Sequence, residues 1–321
     1  MVTKAMPERD AQYRVLREEA GLLDRSDRGK LIVRGPEAAE YLQGQLTNDV
    51  EALGADRGCY AALLDRKGHI QADMRVLRLS SGEIWLDFEP KAVPTVNRHL
   101  QTYSVGREVE IEDVSDRWAI TALLGPRAAG IAGFRELWPE HAQRFREWDG
   151  VEALGVATDL GLDLITRVDQ QASLRKLLGA AGAVEISEAA AEIARVESGR
   201  PRFGAEMNES TMPAEAGIVE RAVDFEKGCY IGQEPVARLH YRGKPNRRLR
   251  GLRLSAPAEP GDALQLEDRD VGSIGTACVS PALGPIALAV VRREAEPGNT
   301  VRVGDGTATA EVVELPFGAG R

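Results

Sequence analysis

Cysteine is scarce. The 321 residues hold three, Cys59, Cys229 and Cys278, with no CxxC pair among them. Three scattered thiols exclude a disulfide scaffold and a self-contained four-thiolate cluster. The histidines at 69, 99, 141 and 240 are isolated and form no HExxH pattern, so no resident metal is expected. Aromatics make up 5%, so the core must rest on Leu, Val, Ile and Ala. No apolar run approaches the roughly 18 residues of a membrane span. The opening MVTKAMPERDAQYR lacks the apolar stretch of a leader. A cytoplasmic protein without a membrane partner is the expectation. Positive charge is short as well: 41 Lys and Arg against 50 Asp and Glu leave a net charge of −9. That excludes a general nucleic-acid coat. There is no GxxxxGK[ST] loop, no GxGxxG after a strand and no GxSxG elbow.

What is present suits a globular chain. Apolar residues make up 43%, and at about 100–200 residues per domain two or three domains are expected. The pattern is mixed α+β. Residues 8–20 read as a helix and KLIVRG (30–35) as a strand, with Gly35-Pro36 opening a helix through Leu42. Strands at 58–65, 70–79 and 84–88, joined by turns at Arg66-Lys67-Gly68 and Ser80-Ser81-Gly82-Glu83, read as a three-strand meander. Alternation places Asp73 and Arg75 on one face of its middle strand and Ala72 and Met74 on the other. A helix over 90–100, a strand over 118–125, strand patterns over 155–165 and helices over 170–181 and 187–198 follow, the last N-capped by Ser187 and stopped at Gly199. After residue 244 the composition changes. LRGLRL, SIGTACVS, PIALAVV, TVRVG and ATAEVVEL are short strands between Gly/Pro turns, the spacing of a small β-barrel. The boundary is placed at 245, giving domains 1–244 and 245–321, the first of them two interleaved α+β subdomains.

Residues 224–254 stand apart. From Lys227 to Arg253 there are eight Lys/Arg against the single acid Glu234. A solvated basic face and an anion site for a carboxylate tail, a phosphate or RNA both remain open. Cys229 follows Lys227 and Gly228. A lone Cys is usually a small buried hydrophobe; a nearby cation would favour its thiolate.

KGCYIGQE (227–234) resembles the signature of the YgfZ family, folate-binding relatives of the glycine-cleavage T-protein. The resemblance continues through LIVRGPEAAEYLQGQLTNDV, CYAALLDRKGHIQADMRVL, RVESGRPRFGAEMNESTMPAEAGI and SPALGPIALAVVRRE. It implies an aminomethyltransferase-type folate-binding domain followed by a C-terminal β-barrel, with tetrahydrofolate, or a one-carbon derivative of it, held in a central channel. T-proteins move an aminomethyl group from lipoylated H-protein to tetrahydrofolate. YgfZ-like members are associated instead with the maturation or repair of iron–sulfur enzymes, one of which modifies tRNA.

The resemblance also implies site residues. Asp73 falls on the folate-contacting aspartate, although the family's Asp-Asp pair is here Ala72-Asp73. Asp159 takes the place of a pterin-gripping glutamate and is one methylene shorter. Glu197 matches a position near the folate pocket, and Met207 and Asn208 fall at its entrance. Cys229 and Lys227 would do the YgfZ-type chemistry beside Asp73. Without the resemblance, Asp73 reads first as a solvent-facing strand carboxylate, and Glu197 equally as an exposed helix residue.

Three readings follow. The first is a tetrahydrofolate-binding, YgfZ-like protein that serves iron–sulfur client or assembly proteins. The second is a T-protein aminomethyltransferase. The third, an RNA-binding accessory using the 238–253 strip, ranks last, because only Tyr230 and Tyr241 are there for base stacking.

Overall fold

The structure is a computed structural model, and it describes residues 6–318. The first five residues, part of the stretch read for a leader, lie outside the described residues. The chain divides into two compact units. The first is built from Met1–Leu64, Gln71–Ala191 and Arg221–Ile231, the second from Asp65–Ile70, Glu192–Glu220 and Gly232–Arg321.

In chain order the elements are α1 (Met6–Glu18), β1 (Gly21–Asp24), β2 (Gly29–Arg34), α2 (Ala38–Gln45), β3 (Arg57–Leu64), β4 (Ile70–Arg78), β5 (Ile84–Phe88), α3 (Val93–Tyr103), β6 (Glu110–Asp113), β7 (Trp118–Leu124), α4 (Ala128–Ile131), β8 (Gln143–Trp148), β9 (Val151–Thr158), β10 (Gly161–Arg167), α5 (Gln171–Ala180), β11 (Val184–Glu185) and α6 (Glu188–Glu197). After α7 (Val219–Ala222) and α8 (Gln233–Arg242) come the strands β12 (Arg247–Leu254), β13 (Ala263–Leu266), β14 (Arg269–Ser280), β15 (Gly284–Arg292), β16 (Thr300–Val303) and β17 (Ala308–Val313). Among the described residues no helix is long and apolar enough to cross a membrane.

The fold is mixed α+β, followed along the chain by a closed barrel. The first unit holds a six-stranded sheet ordered β11-β1-β7-β10-β9-β8 and a five-stranded sheet ordered β3-β4-β5-β2-β6. The meander read from the sequence is the β3-β4-β5 run of the second sheet. Where the sheets face each other, Ile32, Leu77 and Trp85 of one pack on Ile120, Leu154, Val156 and Ile165 of the other, as two stacked sheets do through alternate side chains. In the second unit β12-β15-β14-β13-β16-β17 close into a barrel. Its core is Val, Leu, Ile and Ala throughout, among them Leu252, Leu264, Ile274, Val291 and Val312.

Two features depart from the sequence reading. The strip 238–253 divides between the last turn of α8 and β12, and part of its charge is neutralised: Arg247 is paired with Glu215 and Arg250 with Glu314. The strand β8 escapes the pattern reading. Its sequence QRFREW lies at a sheet edge with Phe145 and three charged side chains at least partly in solvent, so the apolar alternation that marks a half-buried strand is absent.

Candidate functional site

The space between the two sheets of the first unit changes character along the strands. In register, Leu77 opposes Trp85, and two residues further Arg75 opposes Asp87. On the other side of β5, Ile32 opposes Trp85 and Lys30 opposes Asp87. Period-two alternation therefore carries the same face from apolar to ionic. The ionic end forms a chain. Arg75 donates to Asp87 (2.6 Å) and bonds Asp163 of the facing sheet (2.7 Å). Arg28 donates to Asp87 (2.7 Å) and to Glu89 (2.6 Å). Lys30, fully buried, donates to the carbonyls of Ser26 (2.8 Å) and Arg28 (2.6 Å), and so fixes the turn that carries Arg28.

Asp73 sits beside this chain, on the face β4 shares with Arg75 and Leu77. Its Oδ2 accepts the Tyr60 hydroxyl at 2.8 Å, and its Oδ1 is buried with no hydrogen-bond partner among the described residues. Burial is the largest influence on this carboxyl and, with Glu89 adding to it against Tyr60 and Arg28, pushes it up to about 6. Asp87 has the opposite balance. Burial disfavours its charge, but Arg75 and Arg28 outweigh burial and hold it down at about 2. Two aspartates of one sheet are thus driven apart, the separation that marks sites of proton chemistry.

The rim of this site is polar too. Arg221 lies over the Tyr60 ring at 5.0 Å and donates to Glu140 at 2.6 Å. His141 is buried in the left-handed backbone region at φ 64. Burial, helped by Arg75 and Arg221, lowers its pKa to about 4, so the ring is neutral near pH 7, and its Nδ1 has no partner among the described residues. Gly58 lets this corner close. A Cβ there would lie 2.6 Å from the Val76 carbonyl oxygen and 2.8 Å from that of His141.

The other expected site residues are spread over both units. Asp159 belongs to the first unit, exposed in the turn between β9 and β10; the motif's second carboxylate, Asp163, is the one that points inward to Arg75. Cys229 is exposed in the loop after α7. Lys227 is buried, and its ammonium donates to the carbonyls of Gln43 (2.7 Å), Leu46 (2.7 Å) and Asn48 (2.8 Å). Its three protons are committed to carbonyls of residues 43–48, at the end of α2 and just beyond it. Glu197, Met207 and Asn208 belong to the second unit. Glu197 accepts the Ser280 hydroxyl, Met207 is fully buried, and Asn208 Oδ1 accepts from Ser210 in a surface turn.

Sequence reasoning did not select Arg28, Lys30, Tyr60, Asp87, Glu89, Asp163 or His141. The available signal was a charge inside an apolar strand, Lys30 in GKLIVR and Asp87 in IWLDF, which implies a buried partner.

Two family profiles match the chain. The GCVT N-terminal domain matches residues 3–227 and the glycine cleavage T-protein C-terminal barrel domain residues 247–318. The chain belongs to the glycine cleavage T-protein family. It is 31% identical to an aminomethyltransferase of Rubrobacter xylanophilus, across 96% of this chain and 85% of that one. A putative chloroplastic transferase of Arabidopsis thaliana is 28% identical across 92% of this chain and 71% of its own length. The crystal structure of glycine cleavage system aminomethyltransferase T from Bartonella henselae superposes with a TM-score of 0.85 at 23% identity, covering 96% of this chain and 88% of that one. That likeness shows the fold. The names of these T-protein relatives favour the aminomethyltransferase reading over the iron–sulfur one.

Proposed function

We propose that this protein binds tetrahydrofolate beside Asp73 and transfers a one-carbon unit to it. The observation that carries the reading is the Asp73 carboxyl: half-buried, its pKa pushed up to about 6, given one donor by Tyr60 and left with a shielded Oδ1 that has no partner among the described residues. A buried acceptor of this kind matches the N–H groups of a pterin or an amine. In an aminomethyl transfer, the carrier's carbon–sulfur bond breaks and its sulfur regains a proton. The methylene joins the two folate nitrogens and the amine leaves as ammonia. Asp73 would orient the amine and the folate and accept hydrogen bonds from the cation that develops.

A single-turnover assay with aminomethylated, lipoylated H-protein tests this reading. Ammonia release that requires tetrahydrofolate and is lost in Asp73→Ala supports it. Tetrahydrofolate binding without any transfer would move the assignment to a YgfZ-type role for iron–sulfur clients. One observation supports that other reading: Cys229, inside KGCYIGQE, is exposed. With three cysteines in the chain, its part in cluster chemistry would be ligation shared with a client.

A further inference from the structure

We propose that Lys227 is a positioning residue that ties the Cys229 loop to Asp73 through Asn48 and Tyr60. The inference rests on the reading of Asp73 as the ligand carboxylate, and the test below separates the two.

The connection is continuous within the first unit. Lys227 Nζ donates to the Asn48 carbonyl at 2.8 Å. The Asn48 side chain Nδ2 donates to the Tyr60 carbonyl at 2.8 Å and to the Arg221 carbonyl at 3.1 Å. Tyr60 donates to Asp73 at 2.8 Å. Arg221 in turn covers the Tyr60 ring. Two residues that the sequence places 154 positions apart, Asp73 and Lys227, are therefore linked by three hydrogen bonds through two intervening residues.

The loop end of the connection is equally built. The Lys227 ammonium closes carbonyls at the C-terminus of α2 that have no partner within the helix, and it lies 5.2 Å from the Tyr230 ring centre. Backbone bonds from Asp224 to Thr47 (3.0 Å) and from Ile231 to Gly44 (3.2 Å) flank it. Asp224 Oδ1 accepts from the backbone of Glu226 (2.7 Å) and Lys227 (3.1 Å). Cys229 is thus carried on a loop pinned before and after it. Lys227 acts on chemistry through position, and any change in it reaches both the thiol and the carboxyl.

The test uses the full-length chain as wild type, Lys227→Met, Asn48→Ala and the double variant. Two quantities are read: the alkylation rate of Cys229 by peptide mass spectrometry, and the anaerobic affinity for tetrahydrofolate. Each single variant is expected to speed alkylation and weaken tetrahydrofolate by about tenfold, the worth of one good hydrogen bond. The double variant is expected to do no more than either single one, because both cut the same connection. Fully additive effects, or a folded Lys227→Met with unchanged tetrahydrofolate affinity, overturn the proposal. If wild type binds no tetrahydrofolate, the reading of Asp73 fails by itself. The connection is then judged from the 13C signal of the Asp73 carboxyl, which must shift in Lys227→Met; an unmoved signal overturns it. If Lys227→Met does not fold, Asn48→Ala, which leaves the backbone carbonyls of the clamp in place, carries both readouts.

Discussion

Tyr60 and Asp73 share a hydrogen bond of 2.8 Å across neighbouring strands of the five-stranded sheet. It gives Asp73 its one donor from another side chain. Burial raises this carboxyl and the Tyr60 bond restrains the rise. Tyr60→Phe should therefore push Asp73 further up than about 6, a shift that a 13C titration of the carboxyl would read directly. An unchanged midpoint would mean that the bond does not form in solution.

The same carboxyl makes a stability prediction. Its pKa in the folded state, about 6, lies above the ~4 of an unfolded chain. The folded protein binds more protons between these values, so stability falls as pH rises from about 4 to 6 and stays lowered above. Asp73→Asn removes this cost. In urea unfolding it should gain on the order of 2 kcal/mol at pH 7.5 and almost nothing at pH 4.

Asp87 runs the other way. Its folded pKa is held at about 2 by Arg75 and Arg28 against burial. Its contribution is present above pH ~4 and is lost as pH falls from there toward 2. Arg75→Met strands Asp163 and leaves Asp87 with Arg28 alone, both aspartates being buried. A loss of about 3–5 kcal/mol is expected. The midpoint of acid unfolding, followed by circular dichroism, should move to higher pH.

Two glycines of the first unit should respond with opposite signs. Gly58→Ala drives a methyl into the Val76 and His141 carbonyls and should cost about 1–3 kcal/mol. Gly44 is inside α2, and a methyl on its Cα would meet nothing within 4 Å. Gly44→Ala should gain about 0.5–1 kcal/mol. Thermal unfolding of the pair checks both.

Much of this molecule is legible from its residues. The β3-β4-β5 meander and the barrel strands follow from alternation and Gly/Pro turns, and Asp73 and Arg75 share a face as period two requires. Less legible is anything that depends on a second strand. Arg75 meets Asp87 by register and Asp163 by the stacking of two sheets, and neither is written in local pattern. Lys227 illustrates the same limit. Beside Gly228-Cys229 in the chain it reads as a cation for the thiol, whereas folding brings it to three carbonyls of residues 43–48. Asp159 and Asp163 are four residues apart, a spacing that alternation alone puts on one face; they differ because Asp159 lies in the turn before β10 and Asp163 within it.

If Asp73 is the carboxylate of a folate site, its removal must weaken tetrahydrofolate. An anaerobic calorimetric titration of tetrahydrofolate into wild type and Asp73→Ala reads this. Micromolar binding to wild type, weakened at least tenfold in the variant, is the predicted result. Equal affinity in both proteins, or no heat of binding in wild type, would contradict it.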